Sequence, residues 1–427
     1  MDLEIVKKVI SDQLEEVELI LNDQTLIERD VNDPSGFLKK PNILAILGVR
    51  RSGKSTYALK VANCIGKFGY ANMDDERLYG MPSSQLNLLL EAWIEVLGEE
   101  PDLIVLDEIQ NIKGWELFVN RMRRTKRVII TGSNANLLEG ELSTHLTGRY
   151  IDIRMFPFSF IEFLRFFEID VESINVNSTS TSSTLRSKLE EYMVSGGFPE
   201  SITIGGNILA RIYKDIILKD AILRFKIRNR KAFNEVSRYL ISNYSREFTF
   251  SRVARVCGIT SNNMVSEFAG ILEEVGLYFH LERYSKKLSE QYNSPKKSYC
   301  VDNGIIDAIG FNISENRGLL MENLVALELR RRISNLDSDN QIYYWKDHSG
   351  KEVDFLLRRN RKIEELIQVT YSLKDELVQK REVLALLDAS KNTGCENLKI
   401  ITWNEEKKLE YDKQHIMVIP LYKWLIS

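Results

Sequence analysis

A glycine-rich stretch near the start of the chain carries residues whose types and spacing suit phosphate chemistry. Residues Ile43–Thr56 read ILAILGVRRSGKST, an apolar strand, a loop and a helix start that fit G-x-x-x-x-G-K-[ST] in full. Gly48 and Gly53 let the backbone curl so that its N–H groups point at phosphate oxygens, and the helix that begins at Lys54 adds its positive end. Lys54 would reach the β- and γ-phosphates, and the Ser55 hydroxyl would ligate Mg²⁺.

The motif therefore predicts a site for ATP and Mg²⁺. The predicted nucleotide contacts are Gly48, Val49, Arg50, Arg51, Ser52, Gly53, Lys54, Ser55 and Thr56. The alternative is a chance glycine turn between a strand and a helix. An apolar helix face follows the loop directly and favours the nucleotide site. Its residues are Tyr57, Ala58, Val61, Ala62 and Ile65.

Two acids end a second apolar run. Leu103–Glu108 (LIVLDE) predicts a strand buried on both faces, as in a parallel sheet, and ligands bind at the carboxyl ends of such strands. There Asp107 would hold Mg²⁺ through water, while Glu108 would orient and activate the attacking water as general base. Apolar strands that end in an acid are common. The second acid and the distance of about fifty residues from the glycine loop make this one specific.

Other polar residues could join this site. Asp74 and Asp75 follow a short second strand, where they lie near the metal or simply form a turn. Asn134 ends a third apolar strand and could sense the γ-phosphate, although Asn also favours turns. Arg149 lies beyond the sheet and could stabilise the transferring phosphoryl group, in its own subunit or in a neighbour's. The alternative for Arg149 is an ordinary surface arginine.

Composition limits the class of protein. The 427 residues (49.4 kDa) predict two to four domains, and 44% hydrophobic with 28% charged residues is typical of a folded globular protein. The net charge of −3 gives no global attraction to nucleic acid, so a basic footprint must be local. Four dispersed cysteines exclude a zinc module, and no apolar run approaches ~18 residues. We expect a cytoplasmic protein with no membrane span.

The rest of the chain predicts helices and a winged fold. Residues 1–40 carry the spacing of a lead-in helix, and Ser173–Ser183 is too polar to bury a core and predicts a mobile loop. Leu185 to about Arg230 predicts a helical lid. Residues 232–290 read as helix, helix, turn, helix and ribbon, the pattern of a winged helix-turn-helix, whose usual use is to place a helix in the DNA major groove.

The predicted recognition helix is poorly suited to phosphate. From Thr260 to Gly276 it has no Lys or Arg, so any DNA contact would come from basic residues around it. A protein-docking or purely structural role is the alternative. The candidate DNA contacts are Arg252, Arg255, Arg283, Lys286 and Lys287.

Several motifs match one family in order along the chain. They are LTGRY at Leu146–Tyr150, PFSFIEF at Pro157–Phe163, GGFPE at Gly196–Glu200, KSYCVDNG at Lys297–Gly304, GLLMENLV at Gly318–Val325 and YWKDHSGKEVDF at Tyr344–Phe355. From about residue 40 the chain resembles the prokaryotic AAA-type P-loop ATPases of the AAA_14/DUF4143 group. The resemblance implies a P-loop ATPase module, a winged helix and a PD-(D/E)xK nuclease-like terminal fold. It also implies nucleotide and metal roles for Lys54 and Ser55, metal and hydrolysis roles for Asp107 and Glu108, and an arginine finger at Arg149.

The terminal fold departs from an intact nuclease. Glu322 lies on a predicted amphipathic helix, and Asp354 lies on a predicted strand. The next predicted strand contains Gln368 and Thr370. A PD-(D/E)xK site would need a second acid at Gln368 and a lysine at Thr370, and both are missing. We therefore interpret this region as a degenerate nuclease fold kept for binding or assembly. Lys374 could substitute from a nearby turn, which leaves residual cleavage open.

Together these patterns predict an α/β protein: a P-loop NTPase parallel sheet with a helical lid, a winged helix-turn-helix and a small nuclease-like α/β domain. The expected domains are a lead-in at 1–40, the ATPase at 41–230, the winged helix at 231–296 and the terminal domain at 297–427. The expected function is Mg²⁺-dependent ATP hydrolysis that moves the later domains, acting on duplex or branched DNA. A nucleotide-gated protein-binding switch and an ATP-regulated nuclease are the alternatives. A protein partner and a homo-oligomer stay open, and no membrane partner is expected.

Overall fold

A computed structural model describes residues 1–23, 25–31, 34, 36, 38, 41–133, 150–205, 207–309, 316–335, 340–411 and 414–427. The described chain forms two compact units. The first comprises Met1–Phe156 with Glu274–Gly276, and the second comprises Pro157–Glu273 with Leu277–Ser427. No helix in the described ranges is both long and apolar enough to cross a membrane.

The first unit is built on a parallel sheet of five strands in the order β2-β3-β4-β1-β5. The strands are β1 (Ile43–Gly48), β2 (Phe68–Asn72), β3 (Leu103–Asp107), β4 (Arg127–Gly132) and β5 (Tyr150–Met155). The helices of this unit are α1 (Leu3–Leu21), α2 (Lys54–Ile65), α3 (Asn87–Leu97) and α4 (Trp115–Met122). This is the α/β sheet that the apolar runs predict.

Alternation along the strands divides the core between the two faces of the sheet. On β1, Ala45 packs in one cluster with Trp93 of α3 and Trp115 of α4. The next residue, Ile46, packs in the other cluster with Ala58 and Leu59 of α2. Both faces are covered, which explains why the central strands are apolar throughout.

The predicted lead-in helix is part of this unit. Helix α1 buries Val6, Val9 and Ile10 in the cluster that contains the tryptophans. Gln13 closes the edge of β2, since its Oε1 accepts from Asn72 N at 3.0 Å and its Nε2 donates to Asn72 O at 3.2 Å. An edge strand with unpaired backbone groups invites foreign pairing, and this side chain occupies them.

The second unit begins with helices and a small sheet. The helices are α5 (Phe160–Phe166), α6 (Thr179–Ser195), α7 (Pro199–Ile204), α8 (Asn207–Asp215), α9 (Arg230–Ser242), α10 (Phe250–Val256), α11 (Asn262–Glu274) and α12 (Leu288–Asn293), with a π-helical stretch at Ile216–Leu223. The antiparallel sheet β6-β8-β7 consists of β6 (Glu247–Phe248), β7 (Tyr278–Leu281) and β8 (Lys296–Cys300).

A six-stranded mixed sheet completes this unit, in the order β13-β14-β12-β11-β10-β9. Its strands are β9 (Asn340–Lys346), β10 (Glu352–Arg359), β11 (Lys362–Val369), β12 (Leu398–Thr402), β13 (Lys407–Tyr411) and β14 (Gln414–Pro420). The accompanying helices are α13 (Asn303–Ile309), α14 (Arg317–Asn335), α15 (Glu376–Thr393) and α16 (Leu421–Leu425).

One apolar cluster joins several elements of the second unit. It joins Phe163 of α5, Tyr192 of α6, Tyr299 of β8, Val325 of α14 and Phe355 of β10. The helices from Leu185 to about Arg230, expected as a lid on the ATPase domain, belong to the second unit. Helical spacing identifies an apolar face but not the surface that covers it.

The polar segment Ser173–Ser183 does not form a loop throughout, contrary to the sequence expectation. Residues from Thr179 onward belong to α6, whose N-cap is Ser178, and the Ser178 side chain accepts from Thr181 N. Ser is unfavourable within helices but favoured at the cap, where its oxygen satisfies an otherwise free N–H group. The core residues Leu185 and Leu189 then hold the rest of the helix.

Asp302 connects two of the sequence motifs. Its carboxylate accepts from Gly197 N at 2.6 Å and from Ile305 N at 3.2 Å. Gly196 has φ of +71°, and a Cβ there would lie 2.0 Å from Asp302 Oδ1. The first glycine of GGFPE, Gly196, is therefore required by the close approach of the VDNG aspartate, whereas a Cβ at Gly197 would lie 2.3 Å from Phe158 O.

We expect Asp302 to make stability depend on pH. Burial raises the pKa of Asp302 to about 6. A carboxyl whose pKa is higher in the folded than in the unfolded state adds stability at acid pH that is lost as the pH rises through the folded value. Relative to Asp302→Asn, the free energy of unfolding of the wild type should fall by about 3 kcal/mol between about pH 3 and pH 7.

Urea denaturation across this pH range measures the difference. Asp307→Asn, at an exposed position of α13, is the matched control and should differ from the wild type by the same amount at every pH. A pH-independent difference for Asp302→Asn would contradict the expectation.

Candidate functional site

The glycine loop between β1 and α2 is shaped by close backbone contacts. Gly48 approaches β5 so closely that a Cβ would lie 2.0 Å from Met155 O. Arg51 and Gly53 have φ of 66° and 89°. Left-handed residues placed in a turn in this way help to direct successive backbone N–H groups toward one concave side, the arrangement that binds anions in phosphate loops.

The donors of this loop fit a phosphate. Gly53 caps α2 without any side-chain hydrogen bond to the N–H groups of the first turn. Ser52 Oγ is buried and has no hydrogen-bond partner among the described residues. Buried polar atoms are nearly always paired, so this orphaned hydroxyl and the uncapped helix end are a donor set that suits an anionic ligand.

Lys54 lies over the loop as the motif predicts. Its side chain is 3% exposed, and Nζ donates to Val49 O at 3.1 Å. The same nitrogen lies 3.8 Å from Glu108 Oε1. The ammonium is therefore held between the loop backbone and the predicted general base.

Asp107 ends β3 and receives hydrogen bonds from three other elements. Ser55 Oγ at the start of α2 donates to Oδ1 at 2.9 Å, and Thr131 Oγ1 of β4 donates to the same oxygen. Tyr70 OH of β2 donates to Oδ2 at 3.0 Å. The structure thus places the two predicted magnesium ligands, Ser55 and Asp107, in direct contact.

Their oxygens suit Mg²⁺, which takes one or two protein ligands and completes its octahedron with water and substrate phosphate. Within the described ranges, no group of three or more His, Cys, Asp or Glu side chains is placed to hold a metal ion. An ion here would therefore depend on phosphate oxygens for the rest of its coordination.

Glu108 is directed by an unusual backbone conformation. Its φ is 51°, uncommon for a residue other than glycine, and its N–H donates to Thr131 Oγ1 at 3.0 Å. The side chain is 13% exposed and accepts a hydrogen bond from Gln110 Nε2. Strained backbone of this kind is concentrated at functional sites, where it orients a side chain.

The other predicted participants have different positions. Asp74 lies 3.8 Å from Arg50 of the loop, so it neutralises a loop cation. Asp75 binds Arg77 and Gln13. Both contacts are typical of ordinary structural pairing. Asn134 and Arg149 lie outside the described residues.

Three residues that the sequence did not single out complete the site. Tyr70 and Thr131 hold Asp107, and each is a polar side chain near the carboxyl end of an otherwise apolar strand. That signal could have identified them. Arg29 donates to Ser52 O at 2.7 Å and to Phe156 O at 2.6 Å, joining the loop to the chain after β5. Nothing in its local sequence indicates that contact.

The predicted degenerate nuclease residues converge in part. Asp354 N donates to Gln368 Oε1 at 3.3 Å, and Glu322 and Asp354 each lie 2.9 Å from Lys297 Nζ. Thr370 follows the end of β11, where its N–H donates to Ile401 O. Lys297 is the member that the sequence analysis missed.

The candidate DNA contacts separate into two sets. Arg252 and Arg255 are exposed on α10. Arg283 is half-buried and donates to Lys346 O at 2.9 Å, and Lys286 and Lys287 contact Asn392 O and Glu290 at 3.5 and 3.2 Å. Of these candidates, only Arg252 and Arg255 therefore have side chains without a partner among the described residues.

We expect Tyr70 to stabilise the first unit through Asp107. Burial, followed by the charge of Asp107, raises the pKa of Tyr70 far above its ordinary value, so the phenol remains a donor at all working pH values. Tyr70→Phe leaves Asp107 Oδ2 without this donor and should lower the free energy of unfolding by about 1–3 kcal/mol in urea titrations. Tyr79→Phe, at a residue 87% exposed, is the control and should have no effect. Equal stability of Tyr70→Phe and the wild type would exclude this role.

Three family models match successive parts of the chain. An AAA domain model (AAA_14) matches residues 40–164, a domain of unknown function (DUF8612) matches 186–316, and a second domain of unknown function (DUF4143) matches 317–424. The uncharacterized protein MJ1544 of Methanocaldococcus jannaschii is 32% identical over 447 residues, covering 99% of this chain and 95% of that protein. An uncharacterized protein of Haemophilus influenzae is 29% identical over 403 residues, covering 90% and 94%.

Solved structures align only loosely. Cdc6p from Pyrobaculum aerophilum covers 74% of this chain and 94% of its own, with 11% identity and a TM-score of 0.26. AMPPCP-bound DnaA from Aquifex aeolicus covers 61% and 86%, with 14% identity and a TM-score of 0.24. Similarity at this level assigns no fold.

The family-model matches occur in the order that the motifs along the chain predicted. The glycine loop and the acid pair lie within the AAA match, on the parallel sheet that such a domain requires. The full-length similarity to MJ1544 extends the relationship over both units. The chain therefore belongs to the AAA-type P-loop ATPases in which an AAA_14 domain precedes a DUF4143 domain.

Proposed function

We propose that this protein is a Mg²⁺-dependent ATP hydrolase that couples hydrolysis to movement of its second unit. The observation that carries the proposal is the arrangement at the carboxyl end of β3. Ser55 donates to the Asp107 carboxylate, Lys54 begins the uncapped helix α2, and Glu108 Oε1 lies 3.8 Å from Lys54 Nζ. Phosphate, a hard cation and an attacking water each have a matching group there.

Each group has a distinct role in this proposal. The loop N–H groups and Ser52 Oγ bind phosphate oxygens, and Lys54 exchanges Val49 O for the β- and γ-phosphates. Ser55 and Asp107 would hold Mg²⁺, which would neutralise part of the phosphate charge. Once Lys54 turns to the phosphates, Glu108 is free to orient water and accept its proton. Asn134 as γ-phosphate sensor and Arg149 as arginine finger complete the proposed set.

Substitution of Glu108 should separate hydrolysis from binding. Glu108→Gln keeps the size of the side chain but removes the base, so steady-state ATP hydrolysis should fall at least about 100-fold while ATP affinity changes little. Lys54→Ala should weaken ATP binding itself. Isothermal titration and phosphate release measure the two properties, with Glu95→Gln on the outer surface of α3 as control. Hydrolysis by Glu108→Gln at the wild-type rate would refute the assignment.

We further propose that the second unit contacts DNA. The order α9, β6, α10, α11, β7, β8 is that of a winged helix-turn-helix. Helix α11 exposes Asn262, Asn263 and Ser266, neutral side chains that can hydrogen-bond to base edges. Arg252 and Arg255 on α10 supply positive charge nearby. Among the candidate DNA contacts, they are the two whose side chains have no partner within the described residues.

This part of the proposal predicts a DNA effect on hydrolysis. Single-stranded, duplex or branched DNA should raise the ATPase rate of the wild type, and the double variant Arg252→Glu/Arg255→Glu should lose that stimulation and keep its basal rate. Lys391→Glu/Lys408→Glu makes the same charge change at exposed positions of α15 and β13 and should retain it. An ATPase rate that is the same with and without each nucleic acid would instead favour the nucleotide-gated protein-binding switch.

A further inference from the structure

Three carboxylates of the second unit converge on one ammonium group. Lys297 Nζ on β8 lies 2.9 Å from Glu322 Oε1 on α14, 2.6 Å from Glu352 Oε1 and 2.9 Å from Asp354 Oδ1, both on β10. The lysine side chain is only 2% exposed. A lysine is rarely buried this fully unless it is paired, and here each of its three donors has a carboxylate acceptor.

The carboxylate oxygens around this ammonium are satisfied by protein groups. Glu322 Oε1 also accepts from Tyr299 OH at 2.8 Å, and Asp354 Oδ2 accepts from Val369 N at 2.9 Å. Glu352 Oε2 pairs with Lys346 at 3.0 Å. The cluster is thus tied to the surrounding protein by further hydrogen bonds and an ion pair.

The adjoining position also lacks what a metal site needs. Gln368 accepts from Asp354 N and donates to Glu382 Oε2 at 2.6 Å, so a neutral amide is fixed where a nuclease would place an acid. A divalent ion in this space would meet the Lys297 charge at contact distance in a buried region, where like charges repel strongly. The residues present therefore do not fit the catalytic metal that a nuclease-like fold implies.

We infer that Lys297 takes the place of the metal ion in this fold. The lysine neutralises the inherited acids and fastens β8 to α14 and β10. Nuclease chemistry of this fold needs a metal to activate water and stabilise the leaving oxygen, so the terminal domain does not cleave phosphodiesters. The inference does not depend on the proposed ATPase activity, because all of its residues lie in the second unit.

Removing the ammonium should open a cation site. The three carboxylates are not placed to hold a metal ion while the ammonium lies between them, but in Lys297→Ala they lose their counter-ion and their oxygens can close on Mn²⁺ in the vacated space. Without nucleotide, Mn²⁺ titration followed by electron paramagnetic resonance should show one more bound ion per chain in Lys297→Ala than in the wild type. Millimolar Mn²⁺ should also raise the thermal midpoint of this variant by several degrees relative to the wild type. No additional ion and no differential shift would overturn the inference.

Matched variants locate the effect. Lys346→Ala also removes a lysine from Glu352, at a partly exposed position, and should gain no ion because Lys297 remains. Lys297→Ala/Asp354→Asn should lose the ion that Lys297→Ala gains.

A measurement on the intact lysine keeps the inference testable if Lys297→Ala does not fold. The wild type and Glu322→Gln should bind the same number of Mn²⁺ ions, and the wild type should not nick supercoiled plasmid in Mg²⁺ or Mn²⁺. A bound ion that Glu322→Gln loses, or nicking that Asp354→Asn abolishes, would show a working metal site and overturn the inference.

Discussion

The first unit depends on the hydrogen bonds that converge on the Asp107 carboxylate. Tyr70, Thr131 and Ser55 bring β2, β4 and α2 to the end of β3, so one acid positions the edge of the sheet and the phosphate loop together. A buried carboxylate with several donors is stabilised as an anion, whereas loss of any donor leaves part of its charge unpaired. In the proposed function, the same carboxylate would also help to hold a divalent ion.

Two consequences follow for the chemistry at this site. Glu108 follows Asp107 in sequence, but its left-handed backbone and its bond to Thr131 turn it toward Lys54. The proposed base and the lysine of the glycine loop therefore lie 3.8 Å apart in this structure, and in the proposed mechanism phosphate in the loop would draw Lys54 away from Glu108. Such a contact favours an enzyme in which the base becomes competent only when phosphate occupies the loop.

The second unit contains a buried cluster of ion pairs around Lys297. Its continuous core joins the helices after Pro157, the small sheet and the mixed sheet, and Lys297 adds a buried ionic connection between the small sheet and the terminal fold. Breaking a buried pair by removing one partner is strongly destabilising because it leaves an uncompensated charge. We therefore expect loss of the ammonium to weaken the connection of β8 to α14 and β10.

Much of the fold could be predicted from local patterns. Apolar runs located β1 to β4 of the first sheet but not β5. The glycine loop and the acid pair were recognisable because their chemistry needs fixed residue types at fixed spacing. By contrast, Ser173–Ser183 was misjudged in part, since cap and core contacts outweighed its polar composition.

The sequence by itself determined the phosphate loop, the acids at the end of β3 and the family, because these depend on neighbouring residues or on their order along the chain. Only the tertiary structure decided in which unit the helices after Pro157 lie. It also decided that Tyr70 and Thr131 hydrogen-bond to Asp107, and that Lys297 pairs with acids 25 and 57 residues away. Local spacing specifies which face of an element is apolar or charged. The partner of that face is chosen by the packing of distant segments, where burial makes one charge-matched arrangement far more stable than the others.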